Sequence, residues 1–368
     1  MAAQGKRAVG ALRRLQLVGR EMPLSGPDPS GRKIDVSTYR GKLLLVVFWA
    51  SWSGEAVDDI PVLLGLHNQY RSKGFEIVGV SLDTQADSVP PFIKDRKIRF
   101  AIVGCGRISE NHFGSIEKHK DNLKLVAICD TDHDTLERHE EKHQVKGYLK
   151  LEKMLEEESL DLIVICTPSG IHRKQTVLAA KYGVHVMTEK PMATQWQDGV
   201  EMVKACDEAS VYLFVVKQNR RNATLQLLKR AVDEKRFGKI HMVHLNVFWT
   251  RPQEYYDQSK WRGTSKFDGG AFMNQASHYV DLLDWLIGPV DKVQAMMSTT
   301  RDIEVEDTGV LNVKWCNGAL GSMSVTMLTY PKNLEGSIVI LGENGTVRIG
   351  GVAVNDIKHW EFDKPKDY

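Results

Sequence analysis

Five short runs of valine, isoleucine, leucine and phenylalanine alternate with amphipathic stretches from Ile98 onward, and this rhythm constrains the fold more than any other feature. The runs read IRFAIVGC, LKLVAICD, LDLIVICTP, VHVMTEKP and VYLFVVKQN. Continuous apolar strands separated by amphipathic helices are typical of a parallel sheet that helices cover on both faces. The sequence therefore predicts an α/β domain over residues 97–220.

The pattern changes after Asn222. A helix over 223–235 leads into the strand IHMVHLNVFWT, and a loop rich in aromatic and charged residues precedes a second helix over 277–287. The remainder is strand-like, with turn signals at 316–318 and 343–345. We predict an α+β domain over residues 221–368, built on a large, mainly antiparallel sheet.

Residues 20–96 combine the strand LLLVVFWA, a helical stretch and the strand FEIVGVSLD. The segment FWASWSGEA resembles the active-site turn of thioredoxin-like proteins, but Ser53 and Ala56 occupy both cysteine positions. Dithiol exchange needs an attacking thiolate and a second, resolving sulfur, so this segment cannot perform it. Because the resemblance stops near Asp95, we expect a partial thioredoxin-like βαβ segment. It either docks on another surface or is partly disordered.

Charge and composition restrict the partners. A net charge of +2 gives no general electrostatic reason to expect a nucleic acid or a membrane surface. The longest apolar run, Leu43 to Ala50, is too short to cross a bilayer. The five cysteines never approach CxxC spacing, which favours reduced thiols in the cytoplasm, and we expect no metal site. Residues 1–19 are predicted to be a basic, disordered terminus, with a transit peptide as the alternative.

A glycine-containing turn joins the first strand of the α/β domain to its helix. It reads Gly104-Cys105-Gly106-Arg107-Ile108-Ser109. Such a turn lets the backbone approach a pyrophosphate at a helix N-terminus, as in Rossmann domains. The next strand ends in Asp130, whose carboxylate can accept hydrogen bonds from a ribose and so favours NAD over NADP. Arg107 is the counter-signal, because an arginine there can accommodate a 2′-phosphate. A plain α/β turn with an aspartate cap is the alternative.

Four ordered motifs carry a family resemblance. They are ICTPSGIH (165–172), TEKPMA (188–193), VVKQNRRN (215–222) and GGAFMNQASHYVDLLDW (269–285). Together they resemble the Gfo/Idh/MocA oxidoreductases from about Ile98 to the end of the chain. The resemblance implies NAD-dependent oxidation of a sugar hydroxyl. It also implies cofactor contacts at Gly104, Gly106, Arg107, Ile108, Asp130, Thr167, Pro168, His172, Glu189, Lys190, Gln218, Trp261 and Arg262.

The resemblance places Lys190 and His278 at the reacting centre. Hydride leaves a carbinol carbon more readily as its hydroxyl proton is removed, and an ammonium group stabilises the developing alkoxide. Imidazole titrates near neutral pH, which suits His278 to acid–base work. Many relatives carry aspartate where this chain has Asn274. Because an amide cannot take a proton, the general base is either His278 or Lys190.

Further segments resemble one subgroup, the UDP-N-acetylglucosaminuronate 3-dehydrogenases. They are Asn274-Gln275, WTRPQEYYDQSKWRG (249–263) and TYPKNLEGSIVILGENGTVRIGG (329–351). The subgroup oxidises C3 of a UDP-linked sugar acid, so the resemblance implies a nucleotide-sugar substrate. It implies substrate contacts at Asn274, Gln275, Arg251, Tyr256 and Asn333. For the last three, a purely structural role in the loop and sheet edge is equally compatible with the sequence.

Two alternatives remain open from the sequence. The chain can be a Gfo/Idh/MocA dehydrogenase acting on a free sugar or cyclitol. It can also be a non-catalytic scaffold, because the redoxin segment lacks its cysteines and the chain stops at Tyr368, where relatives usually continue into a helical region. The resemblance further implies a homodimer or homotetramer, because the open sheet of the second domain commonly packs against another subunit.

Overall fold

The computed structural model describes residues 24–28, 32–50, 59–70, 73–82 and 97–366. The chain divides into two compact units at the bond between Lys97 and Ile98. The basic terminus, Ser53 and Ala56 lie outside the described residues. No helix among the described residues is long and apolar enough to cross a membrane.

The first unit contains two small sheets. Strands β1 (Ser25–Pro27) and β2 (Lys33–Asp35) pair antiparallel. Strands β3 (Leu43–Trp49) and β4 (Phe75–Ser81) pair parallel, with helix α1 (Ile60–Tyr70) between them in sequence. The second pair confirms the predicted partial βαβ segment. The β1–β2 pair was not predicted, because its three-residue strands are too short to show an alternating pattern.

The second unit begins with a parallel sheet of six strands in the order β10-β9-β8-β5-β6-β7. The strands are β5 (Ile98–Val103), β6 (Leu123–Cys129), β7 (Lys146–Tyr148), β8 (Leu162–Ile165), β9 (His185–Thr188) and β10 (Leu213–Val215). The helices are α2 (Ser109–Lys118), α3 (His133–His143), α4 (Leu151–Glu157), α5 (His172–Lys181) and α6 (Trp196–Glu208). This arrangement confirms the predicted Rossmann domain.

The central strand β5 determines where a ligand can bind. Ala101 and Val103 belong to a core cluster on one face of the sheet, whereas Phe100 and Ile102 belong to the cluster on the other face. The chain leaves β5 for β6 on one side and later returns to β8 on the other side. In open α/β sheets, ligands bind at the carboxyl ends of the strands at such a reversal of order.

The rest of the second unit is built on a seven-stranded sheet in the order β12-β13-β14-β11-β15-β16-β17. Its strands are β11 (Ile240–Phe248), β12 (Val290–Ser298), β13 (Thr308–Trp315), β14 (Leu320–Thr326), β15 (Glu335–Gly342), β16 (Gly345–Gly350) and β17 (Asp356–Phe362). All neighbouring strands are antiparallel except β11 and β14, which confirms the predicted, mainly antiparallel sheet.

Helices cover one face of this sheet. They are α7 (Ala223–Asp233) and α9 (Ser277–Ile287), and the short helix α8 (Gln253–Asp257) lies between them in sequence. Leu228 and Leu282 are buried in the same core cluster as Leu245 and Ile338 of the sheet. A π-helical turn, Ala271–Gln275, leads directly into α9. The turn and helix are thereby anchored on the sheet.

Candidate active site

A cavity of about 570 Å³ opens at the carboxyl ends of the parallel strands, between the Rossmann domain and the π-helical turn with α9. Most of the residues predicted to bind cofactor or substrate line it, although they come from distant parts of the sequence. They are Gly104, Gly106, Arg107, Ile108, Asp130, Thr167, Pro168, Glu189, Lys190, Gln218, Arg251, Trp261, Arg262, Asn274, Gln275 and His278.

The glycine turn is shaped for close approach of a ligand. Gly104 has φ of +91°, and a Cβ there would lie 2.9 Å from the Cys166 carbonyl carbon and from Thr167. Only glycine fits this position without strain. Ser109, which replaces the third glycine of the motif, is fully buried, and its hydroxyl donates to the Gly106 carbonyl at 2.6 Å. The turn is therefore closed by a side-chain hydrogen bond.

The start of α2 and the end of β6 suit a dinucleotide. No side chain caps the start of α2, where the backbone N–H groups of Ser109 and Asn111 donate to the carbonyls of Gly106 at 3.1 Å and Ile108 at 3.2 Å. The positive end of the helix dipole there favours an anion. Asp130 accepts hydrogen bonds from the backbone N–H of Cys105 at 2.6 Å and of Asp132 at 2.9 Å. Two donors thus hold the carboxylate at the cavity wall. These residues fit NAD, with the turn at the pyrophosphate and Asp130 at the ribose.

Lys190 lies where β9 ends, and its Nζ donates to both oxygens of Asn274. The distances are 3.0 Å to the Asn274 backbone carbonyl and 3.0 Å to its Oδ1. Burial lowers the pKa of Lys190 to about 8, and the charges of Lys217 and Arg251 act in the same direction. The neighbouring carboxylates, Glu189 and Asp268, oppose this shift. A substantial fraction of Lys190 is therefore the neutral amine near pH 8.

Glu189 is held on the other side of Lys190. Its Oε1 lies 2.8 Å from Nε2 of His112, and its Oε2 accepts from the Lys190 backbone N–H at 3.2 Å. Burial alone would raise the pKa of Glu189, but the contact with His112 and the interactions with Lys190 bring it below its usual range. Glu189 therefore contributes a negative charge next to Lys190.

His278 is buried in the cavity wall, on the first turn of α9. Neither of its ring nitrogens has a hydrogen-bond partner among the residues that the structure describes. Burial, followed by the charges of Lys190 and Lys217, lowers the pKa of His278 to about 4. The imidazole is therefore neutral at physiological pH, with one donor and one acceptor nitrogen left for a ligand.

The π-helical turn fixes Asn274. The chain enters it through Gly270, which has φ of +94° and where any Cβ would collide with the carboxylate of Glu306. The backbone carbonyl of Glu306 accepts from the N–H of Ala271 at 3.0 Å, and its Oε1 accepts from the N–H of Phe272 at 3.1 Å. The Asn274 side chain is not free for substrate, because its oxygen accepts from Lys190 and its nitrogen donates to Asp268.

A basic and aromatic cluster forms the far wall. Gln275 accepts from Nε of Arg251 and donates to the Tyr255 hydroxyl, both at 3.0 Å. The Arg262 guanidinium lies 4.3 Å from the centre of the Tyr255 ring, and Arg251 lies 5.3 Å from it. Two guanidinium groups on one ring make this wall suitable for anionic groups of a ligand.

Three predicted contact residues do not line the cavity. His172 is fully buried, with Nε2 2.9 Å from the Thr167 carbonyl and Nδ1 2.9 Å from the Thr188 hydroxyl. Through its contact with the Thr167 carbonyl, His172 holds the turn that follows β8. Tyr256 is buried, and Asn333 accepts from the backbone N–H of Thr250 at 2.8 Å. All three side chains therefore lie outside this cavity, and their contacts with a ligand stay a prediction.

Several site residues escaped the sequence reasoning. Tyr255 lies within one of the quoted segments and Asp268 immediately precedes another, but nothing in their spacing distinguishes them from their neighbours. Gln175 lies one helical turn after the residue that starts α5, and its Oε1 accepts from the Thr167 hydroxyl at 2.6 Å. Helical spacing after a cofactor motif is the signal that could have identified it.

Comparison with protein families gives three matches. Residues 98–217 match the oxidoreductase family with an NAD-binding Rossmann fold, and residues 225–348 match the GFO/IDH/MocA C-terminal domain. Residues 18–104 match the AhpC/TSA family, in agreement with the thioredoxin-like resemblance of the first unit.

Solved structures and curated proteins give the same result. The WlbA dehydrogenase from Chromobacterium violaceum, in complex with NADH and UDP-GlcNAcA, is 66% identical, with a TM-score of 0.73 over 74% of this chain and 79% of that chain. The WlbA dehydrogenase from Bordetella pertussis, with the same ligands, is 61% identical, with a TM-score of 0.73 over 74% of this chain and 83% of that one. The curated myo-inositol 2-dehydrogenase of Thermotoga maritima is 28% identical over 61% of this chain and 67% of its own length. The chain belongs to the Gfo/Idh/MocA family of oxidoreductases.

Proposed function

We propose that the protein is an NAD-dependent nucleotide-sugar dehydrogenase that oxidises the C3 hydroxyl of UDP-N-acetylglucosaminuronic acid to a ketone. The observation that carries this proposal is the meeting of Lys190, His278 and the glycine turn around one cavity. The identity to two dehydrogenases whose structures contain NADH and UDP-GlcNAcA supports the choice of substrate.

Lys190 is the general base in this proposal. A neutral amine has two N–H groups and one lone pair. Since Asn274 offers Lys190 two acceptor oxygens, both N–H groups can be engaged there, leaving the lone pair for the cavity. The lone pair takes the hydroxyl proton as the sugar carbon loses its hydride. The ammonium formed then donates to the new carbonyl oxygen, and general-base help of this kind contributes about 10²- to 10⁴-fold.

NAD, when bound, would supply the hydride acceptor. The chain's own residues orient the two partners: the turn at Gly104 and the start of α2 hold the pyrophosphate, and Asp130 holds the ribose. His278 is neutral and unpartnered, so its donor nitrogen can hold the reacting oxygen against Lys190. Two groups on one oxygen fix the angle between the hydroxyl and the nicotinamide.

The basic wall explains the preference for an acidic nucleotide-sugar. Arg251 and Arg262 present guanidinium groups that suit a diphosphate or a carboxylate. A free cyclitol carries neither group and would leave this wall uncompensated. The experiment is a comparison of NAD reduction with UDP-N-acetylglucosaminuronic acid, with UDP-N-acetylglucosamine and with myo-inositol. We expect the sugar acid to give the highest kcat/KM, and equal or faster oxidation of inositol would contradict the proposal.

We also propose that the protein assembles into a homodimer or homotetramer through the open face of the large sheet. Exposed apolar side chains lie on this face at Met296 (76% exposed), Val310 (43%) and Leu320 (52%) of β12, β13 and β14. A patch of this kind marks an association surface, and we commit to a second copy of this chain as its partner. Analytical ultracentrifugation should show a dimer or larger species, and Met296→Glu should weaken it. A monomer at all concentrations would contradict this.

A cytoplasmic location completes the proposal. All five cysteines are free thiols and four of them are buried, as expected for a protein that folds in a reducing compartment. Fractionation of cells that produce the protein should recover it with cytoplasmic markers.

A further inference from the structure

We propose that Asp268 is a positioning residue for the reaction: through Asn274, it holds Lys190 in the geometry that proton removal needs. This inference rests on the proposed function of Lys190 as the general base. The residues form a continuous chain, because Asp268 accepts from the Asn274 side-chain nitrogen and Asn274 Oδ1 accepts from Lys190 at 3.0 Å.

The first step of the argument concerns the state of Asp268. Its side chain is buried, with 3% exposure, and its second oxygen accepts from the backbone N–H of Gly263 at 2.7 Å. Both carboxyl oxygens thus accept hydrogen bonds from N–H donors, as an ionised carboxylate does. Burial raises the pKa of Asp268, while these two hydrogen bonds and the charges of Lys190 and Arg262 oppose that shift and favour the carboxylate. The ionised group is then a fixed acceptor and a fixed charge.

The second step concerns the orientation of Asn274. A carboxamide has one accepting and one donating end, and it can bind its neighbours in either of two flipped orientations. A carboxylate accepts only, so Asp268 requires the nitrogen of Asn274 to face it. The Asn274 oxygen must then face Lys190. Without the carboxylate, the flipped amide would present an N–H donor to Lys190, which would compete for its lone pair.

The third step concerns charge. The groups that act on Lys190 and Asp268 come from several elements, and they are Glu189, Lys217, Arg251, Arg262, Tyr256 and His278. Two negative charges near Lys190, those of Glu189 and Asp268, stabilise its ammonium form. Removing the charge at Asp268 therefore lowers the pKa of Lys190.

The test uses the full chain and first replaces Asp268 alone. Asp268→Asn keeps the shape and the acceptor for Gly263 but loses the charge and the fixed polarity. We expect kcat to fall by about 10- to 100-fold with little change in KM. We also expect the acidic limb of the kcat profile to move to lower pH, because Lys190 loses a neighbouring negative charge.

The double variant Asp268→Asn/Asn274→Asp provides the rescue. The amide at position 268 can donate to the carboxylate at position 274 and still accept from Gly263, while that carboxylate accepts from Lys190. We expect most of the lost kcat to return and the acidic limb to move to higher pH than in the wild type. Asn274→Asp alone places two carboxylates against each other and should be as inactive as the first variant.

The matched control is Asp307→Asn. Asp307 is also buried and accepts from backbone N–H groups, those of Thr300 at 2.9 Å and Arg301 at 2.8 Å, but the Asn274 side chain donates to Asp268 and not to Asp307. It should lose stability without moving the pH profile. If Asp268→Asn behaves like this control, with an unmoved limb and no rescue by the exchange, the inference is overturned.

A readout without sugar separates this inference from the proposed function. Competitive acetylation of Lys190 at a series of pH values, followed by mass spectrometry, reports its pKa in the ligand-free protein. Asp268→Asn should lower that pKa even if the wild type fails to oxidise the nucleotide-sugar acid. An unchanged pKa would overturn the role of Asp268, whereas a lowered pKa without turnover would contradict only the proposed substrate.

Discussion

Lys190 and His278 lie in one cavity but are prepared for different tasks by their surroundings. Burial and nearby cations bring the pKa of Lys190 down to about 8, whereas the same influences lower the pKa of His278 to about 4. A group that titrates near the working pH is suited to accept a proton, and one that stays neutral is suited to orient an oxygen. The environment, more than the residue type, is therefore our reason for proposing the lysine as the base.

The pH profile of turnover should show this assignment. Because the base must be neutral, kcat should rise as pH increases through about 8, the pKa of Lys190. Lys190→Met should lower kcat by about 10²- to 10⁴-fold and remove this rise of kcat with pH, the acidic limb of the profile. His278→Gln should lower kcat but leave the limb in place. A limb that disappears only in the histidine variant would assign the base to His278 instead.

At this scale the sequence predicted which side chains meet, but not how each is used. The family motifs led to Lys190, His278 and the glycine turn, and the cavity contains them all. Asn274 was expected to contact substrate, whereas both ends of its amide are occupied by protein. That outcome depends on Asp268, whose role follows from a hydrogen bond in three dimensions and leaves no trace in spacing.

At the scale of elements, we expect the turn between β5 and α2 to affect both the stability of the protein and its binding of the cofactor. Gly104 needs its positive φ and has no room for a Cβ, whereas a Cβ at Gly106 would meet nothing within 4 Å. The two glycines should therefore respond differently to the same substitution.

Gly104→Ala should destabilise the protein by about 1 to 3 kcal/mol and weaken NADH binding, because the turn must shift. Gly106→Ala should unfold at the same temperature as the wild type but also bind NADH more weakly, since the added methyl group points into the space of the pyrophosphate. Thermal unfolding and NADH titration of both variants check this. Equal loss of stability in the two would contradict the account.

The long, periodic elements were predictable, and the short ones were not. The helices predicted over 223–235 and 277–287 are observed as Ala223–Asp233 and Ser277–Ile287. Strand β7 and helix α4 were missed because three and seven residues carry too little periodicity to distinguish them from a loop. The π-helical turn was also missed, because its geometry depends on Gly270 and the contacts of Glu306.

At the scale of the whole molecule, buried neutral histidines should make stability depend on pH. His139, His172 and His278 are buried, and burial lowers the pKa of each below the ordinary histidine value of 6.5. As pH falls below 6.5, these three histidines are protonated in the unfolded chain while they remain neutral in the folded protein. Stability is therefore complete above that pH and is lost towards the lower folded-state pKa values.

The contribution of His278 can be isolated. Its pKa of about 4 in the folded protein corresponds to ~3 kcal/mol of stability lost between pH 6.5 and pH 4. Urea unfolding at pH 7 and pH 5 should show a smaller decrease for His278→Gln than for the wild type. An identical decrease in both proteins would mean that His278 is not buried as a neutral group.

The two compact units should also differ in their importance for catalysis. Every residue that lines the cavity lies between Val103 and His278, within the unit that begins at Ile98. A chain that starts at Lys97 should therefore keep the turnover number of the full protein in the NAD-reduction assay. Loss of turnover in a folded, NADH-binding truncation would require a catalytic role for the first unit.

The most direct test of the central claim follows the hydride itself. UDP-N-acetylglucosaminuronic acid deuterated at C3 is incubated with the protein and NAD, and the reduced cofactor is analysed by mass spectrometry. Our account predicts that the deuterium appears in the NADH and that Lys190→Met forms almost none of it. Unlabelled NADH, or no NADH from a wild-type protein that binds both ligands, would contradict it.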